Sequence, residues 1–179
     1  MPPERTRHRT LRSGLARGRV RLLFILTMTI RWLLAAIHLL ALGVGLGAVW
    51  ARGRALQAPL DVLAFRRVFY ADTWWGIAAL LWISTGLLRA FGGYEKGAFY
   101  YLHNHLFWAK MGLLAAILLL EFGPMIALIR WRVAVARGAV PDTRAASRFA
   151  RISFVQAVLV VLMVLTATAM ARGYGVPAR

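Results

Sequence analysis

Two ionisable residues, Lys110 and Glu121, stand inside a stretch long and apolar enough to cross a membrane. It reads His103-Asn-His-Leu-Phe-Trp-Ala-Lys-Met-Gly, then Leu-Leu-Ala-Ala-Ile-Leu-Leu-Leu, then Glu-Phe-Gly-Pro124. A charged side chain in hydrocarbon costs about 3 kcal/mol or more, so such residues usually face a bundle interior or a cavity. At about 100° per residue, the steps from His103 to Lys110 and from Lys110 to Glu121 each close to about 20° of whole turns. On a helix the three residues therefore share one stripe, which favours an inward-facing polar face. The plain alternative is a lysine snorkelling to a headgroup and a glutamate without a special role.

Other polar residues fall at matching depths. His38 follows Arg31 by the same interval that separates Lys110 from His103, about 10 Å along each helix. Thr85, before Arg89 on an antiparallel neighbour, comes near that level. Toward the opposite face lie Asp72, Glu121, Ser153 and Gln156, with Arg148 and Arg151 within reach. His38 suits either of two roles: a structural histidine satisfied by Thr85 or a carbonyl, or an axial ligand to b-type haem iron. Lys110 beside it points to an anionic partner, such as a porphyrin propionate. His103 and His105 are two apart and face different ways on a helix, a poor paired metal site; one is a candidate second axial ligand, and an interfacial role competes. Asp72 and Glu121 either relay protons or pair with loop arginines.

These residues need a membrane scaffold. The chain is 60% hydrophobic, well above the roughly 45–50% of soluble domains. Its apolar runs approach the ~20 residues that span a ~30 Å hydrocarbon core. With no cysteine, disulfides, thiolate metal sites, iron–sulfur clusters and cysteine nucleophiles are excluded. The net charge of +17 lies outside the apolar runs. It reads as a determinant of orientation and a contact with anionic headgroups rather than with nucleic acid.

The expected architecture is all-α: an integral membrane antiparallel four-helix bundle with short loops, spanning about 32–50, 71–90, 105–129 and 152–171. Residues 28–175 form that domain, behind a basic extension, residues 1–27, with Arg5, Arg7, Arg9, Arg12, Arg17, Arg19 and Arg21. The extension reads as a disordered tail, an amphipathic surface helix or an untranslated upstream segment, Met28 making an ordinary start. In the connection from Ala51 to Phe69, Pro59-Leu-Asp starts a short amphipathic helix, which Asp61 caps only weakly. Pro124 is expected to kink the third span near its end. Loops one and three carry ten basic residues, Arg52, Arg54, Arg66, Arg67, Arg130, Arg132, Arg137, Arg144, Arg148 and Arg151. The opposite side carries five, Arg31, Arg89, Lys96, Arg172 and Arg179; the seven tail arginines would reverse that balance to twelve against ten. Without the tail, both termini lie outside, in an inner (plasma) membrane.

Across Arg31–Arg172 the chain resembles an uncharacterised family of small bacterial four-helix membrane proteins. The resemblance rests on Ala-Ile-His38-Leu-Leu-Ala-Leu-Gly, Phe-Tyr-Ala-Asp72-Thr-Trp-Trp-Gly, Leu-His103-Asn-His105-Leu-Phe-Trp-Ala-Lys110-Met and Arg-Ile-Ser153. More distantly it is similar to HemJ-type protoporphyrinogen oxidases, and to CopD-like copper resistance proteins. The HemJ resemblance implies haem ligation at His38, in Ile37-His38-Leu39, and a functionally required lysine at Lys110, in Ala109-Lys110-Met111. Gly43–Gly47 replaces the family's tryptophan–glycine pattern, and no histidine adjoins the lysine. Three readings follow. The first is a haem- or porphyrin-binding redox protein acting on a porphyrinogen or quinone, with a homodimer thickening the wall around the cofactor. The second is a small transporter or metal-export accessory, gated by Lys110, Glu121 and Asp72. The third is a structural or assembly protein.

Overall fold

The computed structural model describes residues 4–95 and 97–175, with side chains from residue 18 onward. The side chains of the arginines up to Arg17, and all of Lys96 and Arg179, lie outside that description. Among the described residues the fold is all-helical: α1 Glu4–Gln57, α2 Val62–Phe91, α3 Ala98–Leu102, α4 His105–Ala136 and α5 Ala146–Ala171. Four stretches are long and apolar enough to cross a membrane: Gly18–Gln57 of α1, and all of α2, α4 and α5.

The long helices outrun the expected spans at the arginine-rich end. α1 continues past Trp50 to Gln57, and α2 starts at Val62, so no separate amphipathic helix intervenes. Asp61 is a full N-cap, its carboxylate accepting from the Ala64 N–H at 2.7 Å. α4 runs through Pro124 to Ala136. Between α4 and α5, Asp142 pairs with Arg144 at 2.7 Å. That guanidinium holds the exposed carboxyl below its usual range, at about 2.

Helices in lipid gain little from apolar contact alone, so close packing and polar contacts hold them together. α1 packs on α2 and α5, and α4 packs on α5; the fourth seam, α2 against α4, is the loosest. Small residues set the close seams. A Cβ at Gly45 would sit 3.3 Å from Ala78, and one at Gly53 would sit 3.0 Å from the Phe154 ring. Across the looser seam the contacts are aromatic, Phe65 edge-on to Trp131 and Phe91 to Phe107. An apolar layer of Val49, Trp75, Ile117, Val160 and Met163 crosses the middle of the bundle.

The end opposite the arginines is closed by the turn that follows α5. Asn104, fully buried, caps α4 by accepting from the Leu106 N–H at 2.9 Å and donates to the Tyr174 carbonyl at 3.1 Å. The His105 N–H donates to the Gly175 carbonyl at 3.0 Å. Gly175 has φ +82°, and a Cβ there would come within 2.5 Å of Asn104 Oδ1. Replacing Asn104 by Ala removes a cap and orphans a carbonyl, so Asn104→Ala should cost about 1–3 kcal/mol. Gly175→Ala should cost a similar amount through strain and collision. Thermal unfolding of the detergent-solubilised variants checks both; an unchanged Asn104→Ala midpoint would show that this clasp contributes nothing.

Candidate functional site

The polar residues gather into two clusters at opposite ends. The larger surrounds Arg52, whose side chain is completely buried. Its guanidinium has five N–H donors, and all five find acceptors. Nη1 donates to Asp72 Oδ1 at 2.9 Å and to Glu121 Oε1 at 2.6 Å. Nη2 donates to Glu121 Oε2 at 2.7 Å and to Gln156 Oε1 at 2.9 Å. Nε donates to Ser153 Oγ at 3.1 Å. The Glu121 contact is bidentate, the strongest arginine–carboxylate geometry.

The acceptors are held in turn. The Ser153 hydroxyl donates to the Phe149 carbonyl at 3.0 Å. Gln156 Nε2 donates to Glu121 Oε2 at 2.8 Å and to the Ile117 carbonyl at 3.2 Å. Asp72 also serves a second arginine: Arg132 Nη2 donates to Asp72 Oδ2 at 2.9 Å, to the Phe69 carbonyl at 2.8 Å and to Thr73 Oγ1 at 3.1 Å. Two arginines thus face two carboxylates, and among the described residues no buried side-chain polar atom lacks a partner.

Arg52 is the residue that sequence reasoning misplaced. Its charge marks it as a loop cation just beyond a span ending at Trp50, whereas it is the hub of the bundle. The helical period contained a signal. Fourteen residues separate it from His38, which brings the two within about 40° of one face. Arg148 and Arg151, expected near the acids, lie exposed on α5, and the acids' partners are Arg52 and Arg132.

The second cluster centres on buried His38. Trp82 Nε1 donates to His38 Nε2 at 3.1 Å, so Nε2 is the acceptor nitrogen. Nδ1 then carries the proton and donates to Thr85 Oγ1 at 3.0 Å, while Thr85 donates to the Leu81 carbonyl at 2.6 Å. This assigns a neutral Nδ1–H tautomer from the network. Gly86 makes room for the ring, since a Cβ there would lie 3.1 Å from His38 Cε1. Lys110 is half-buried on α4 near this end.

His103 does not share the Lys110–Glu121 stripe. It is the C-cap of α3, ahead of the Asn104 cap, with Nδ1 against the Phe99 carbonyl at 2.8 Å. His105, exposed, opens α4. Lys110 and Glu121 do share α4, about 16 Å apart along it. Among the described residues no three His, Cys, Asp or Glu converge as a metal site. Haem at His38 fits poorly here: both ring nitrogens are engaged, and an iron could reach Nε2 only by displacing Trp82.

Residues 30–175 match the family described as Predicted membrane protein (DUF2214), and the chain belongs to it. It is thus a multi-pass membrane protein of a family whose description assigns no activity. No curated protein and no solved structure matches the chain.

Removing one partner from a buried charge network typically costs about 3–5 kcal/mol. Arg52→Met should therefore destabilise the bundle by that order. Arg52→Lys should also be costly, because three donors cannot serve five acceptor contacts. Chemical or thermal unfolding in detergent measures this; a lysine variant as stable as the parent would refute the five-donor account.

Proposed function

We propose that the protein is a proton-linked transporter of the bacterial inner membrane, in which Asp72 is the proton-sensitive clasp between α2 and α4. One observation carries the reading. Asp72 divides its two oxygens between Arg52, completely buried on α1, and Arg132, 36% exposed on α4, across the loosest seam of the bundle. The Asp72 and Glu121 side chains retain 18% and 17% exposure, whereas Arg52 has none, so the carboxylates and not the guanidinium are the groups a proton would reach in this cycle. A proton on Asp72 removes an acceptor and a charge. Arg52 keeps its other four contacts, including both Glu121 oxygens, whereas Arg132 loses its one ionic partner and keeps only the neutral Phe69 carbonyl and Thr73 Oγ1, so its hold on α2 is the one that weakens. Counted without the seven tail arginines and without buried Arg52, the basic residues are nine at this end against five at the other, a balance that favours the cytoplasmic side for this end; the tail arginines turn it to nine against twelve.

Vesicles containing the full chain and a trapped pH dye, under an imposed potassium diffusion potential, test this. Proton entry should exceed that of protein-free vesicles and fall at least about ten-fold with Asp72→Asn, an isosteric change that abolishes the charge. Equal rates for Asp72→Asn and the parent would defeat the proposal.

A second reading, redox chemistry at His38, has one arrangement in its favour: Lys110, half-buried on α4, lies toward the same end of the bundle as His38. A haem propionate would find a cation there, provided Trp82 gave up its bond to Nε2. An absorption spectrum of the purified protein, before and after dithionite, separates the two. The transporter reading expects no Soret band. A stoichiometric band that His38→Ala abolishes would establish the redox reading instead.

A further inference from the structure

A groove of about 790 Å³ lies between α1 and α2 on the face turned away from the ion-pair network. Its floor continues from the residues beside the network: Ala51 and Ala71 line it, while Arg52 and Asp72, their sequence neighbours, point inward. Along α1 the lining runs from Val44 to Ala55, about 16 Å at 1.5 Å per residue, and Ala58, just past the helix, continues it. The helical stretch matches the ~15 Å depth of one leaflet's hydrocarbon. Small residues such as Gly47 keep the deep part shallow-walled, and exposed Tyr70 and Trp74 flank it.

Arg54 and Arg67 line the same groove toward its loop end. The acids of the described side chains are all engaged elsewhere. Asp61 caps α2, Asp72 and Glu121 hold Arg52 and Arg132, Glu95 pairs with Arg89, and Asp142 pairs with Arg144. No carboxylate among the described residues is paired with Arg54 or Arg67, which leaves both guanidiniums open to an external anion. Two guanidiniums match a phosphate, which each can grip through two parallel N–H bonds. An apolar channel one leaflet deep below them matches an acyl chain.

We propose that this groove is a binding site for one anionic phospholipid, its phosphate between Arg54 and Arg67 and an acyl chain along Gly47 and Ala51. The proposal is independent of the transporter reading, since it uses the outer face of α1 and α2 and none of the network.

The test is native mass spectrometry of the full chain, purified in mild detergent and loaded with phosphatidylglycerol or with phosphatidylcholine of the same acyl chains. One phosphatidylglycerol per chain should be retained, at least about ten-fold more tightly than phosphatidylcholine. Retention should weaken by roughly five-fold for each of Arg54→Gln and Arg67→Gln, the effect of about one kcal/mol per basic residue. Gly47→Leu fills the deep groove; a Cβ there meets nothing within 4 Å, so the helix tolerates it, and retention should fall with both arginines intact. Arg130→Gln, an exposed arginine at the same end but outside the groove, should change nothing. Equal retention of the two lipids would overturn the site. So would an Arg130→Gln loss as large as that of Arg54→Gln, or a Gly47→Leu variant that binds like the parent.

Discussion

Everything at the arginine-rich end depends on where the five N–H donors of Arg52 go. A guanidinium cannot shed its proton, so once it is inside the bundle every donor must meet an acceptor or incur a desolvation penalty of a few kcal/mol. The acceptors come from three other helices: Asp72 on α2, Glu121 on α4, Ser153 and Gln156 on α5. A slip of one residue on any of them rotates its group by about 100° and empties a contact. Desolvation offsets much of the Coulomb attraction in such a network. Its consequence is therefore a single permitted register, with little net gain in stability.

The opposite end uses neutral groups for a similar purpose. His38 lies about 21 Å from Arg52 along α1 and on nearly the same face, but its partners, Trp82 and Thr85, are uncharged and both on α2. Between the clusters stands the apolar layer of Val49, Trp75, Ile117, Val160 and Met163. Among the described residues the Arg52 and His38 hydrogen-bond clusters share no member. On the transporter reading, carriage across the bundle therefore requires helices to move, and α2 against α4 is the seam with least backbone packing to oppose movement. The ion pair that closes that seam is also the one with a half-exposed partner.

The four spans were legible because a membrane demands long apolar runs, and hydropathy measures those directly. Their ends were not, because hydropathy registers the cost of a charge and is blind to the partner that cancels it. Arg52 and Arg132 looked like span terminators; each is inside a helix because an acid meets it there. Asp72, Glu121 and Gln156 were legible as one polar level, being the polar groups left in apolar sequence, yet their hub stood outside the assumed span. His103 was misread for another reason. The stripe arithmetic presumed a continuous helix, while Asn104 directly after it is a capping residue type and starts α4 afresh. His38 with Thr85 followed from depth alone; Trp82 did not, because aromatic residues in a span read as packing until geometry shows an N–H aimed at a nitrogen.

The same residue type fills three roles at this end, and the number of acids decides which. The chain has 23 basic residues against six acidic ones, so most arginines have no carboxylate to meet. Arg52 takes nearly two and is buried. Arg132 takes a share of one and stays half-exposed. Arg54 and Arg67 take none, and they line a groove open to the bilayer. In water such arginines would need no explanation. Beside an apolar groove one leaflet deep, at the headgroup level, they define a place where an external anion completes the charge balance that the chain leaves open.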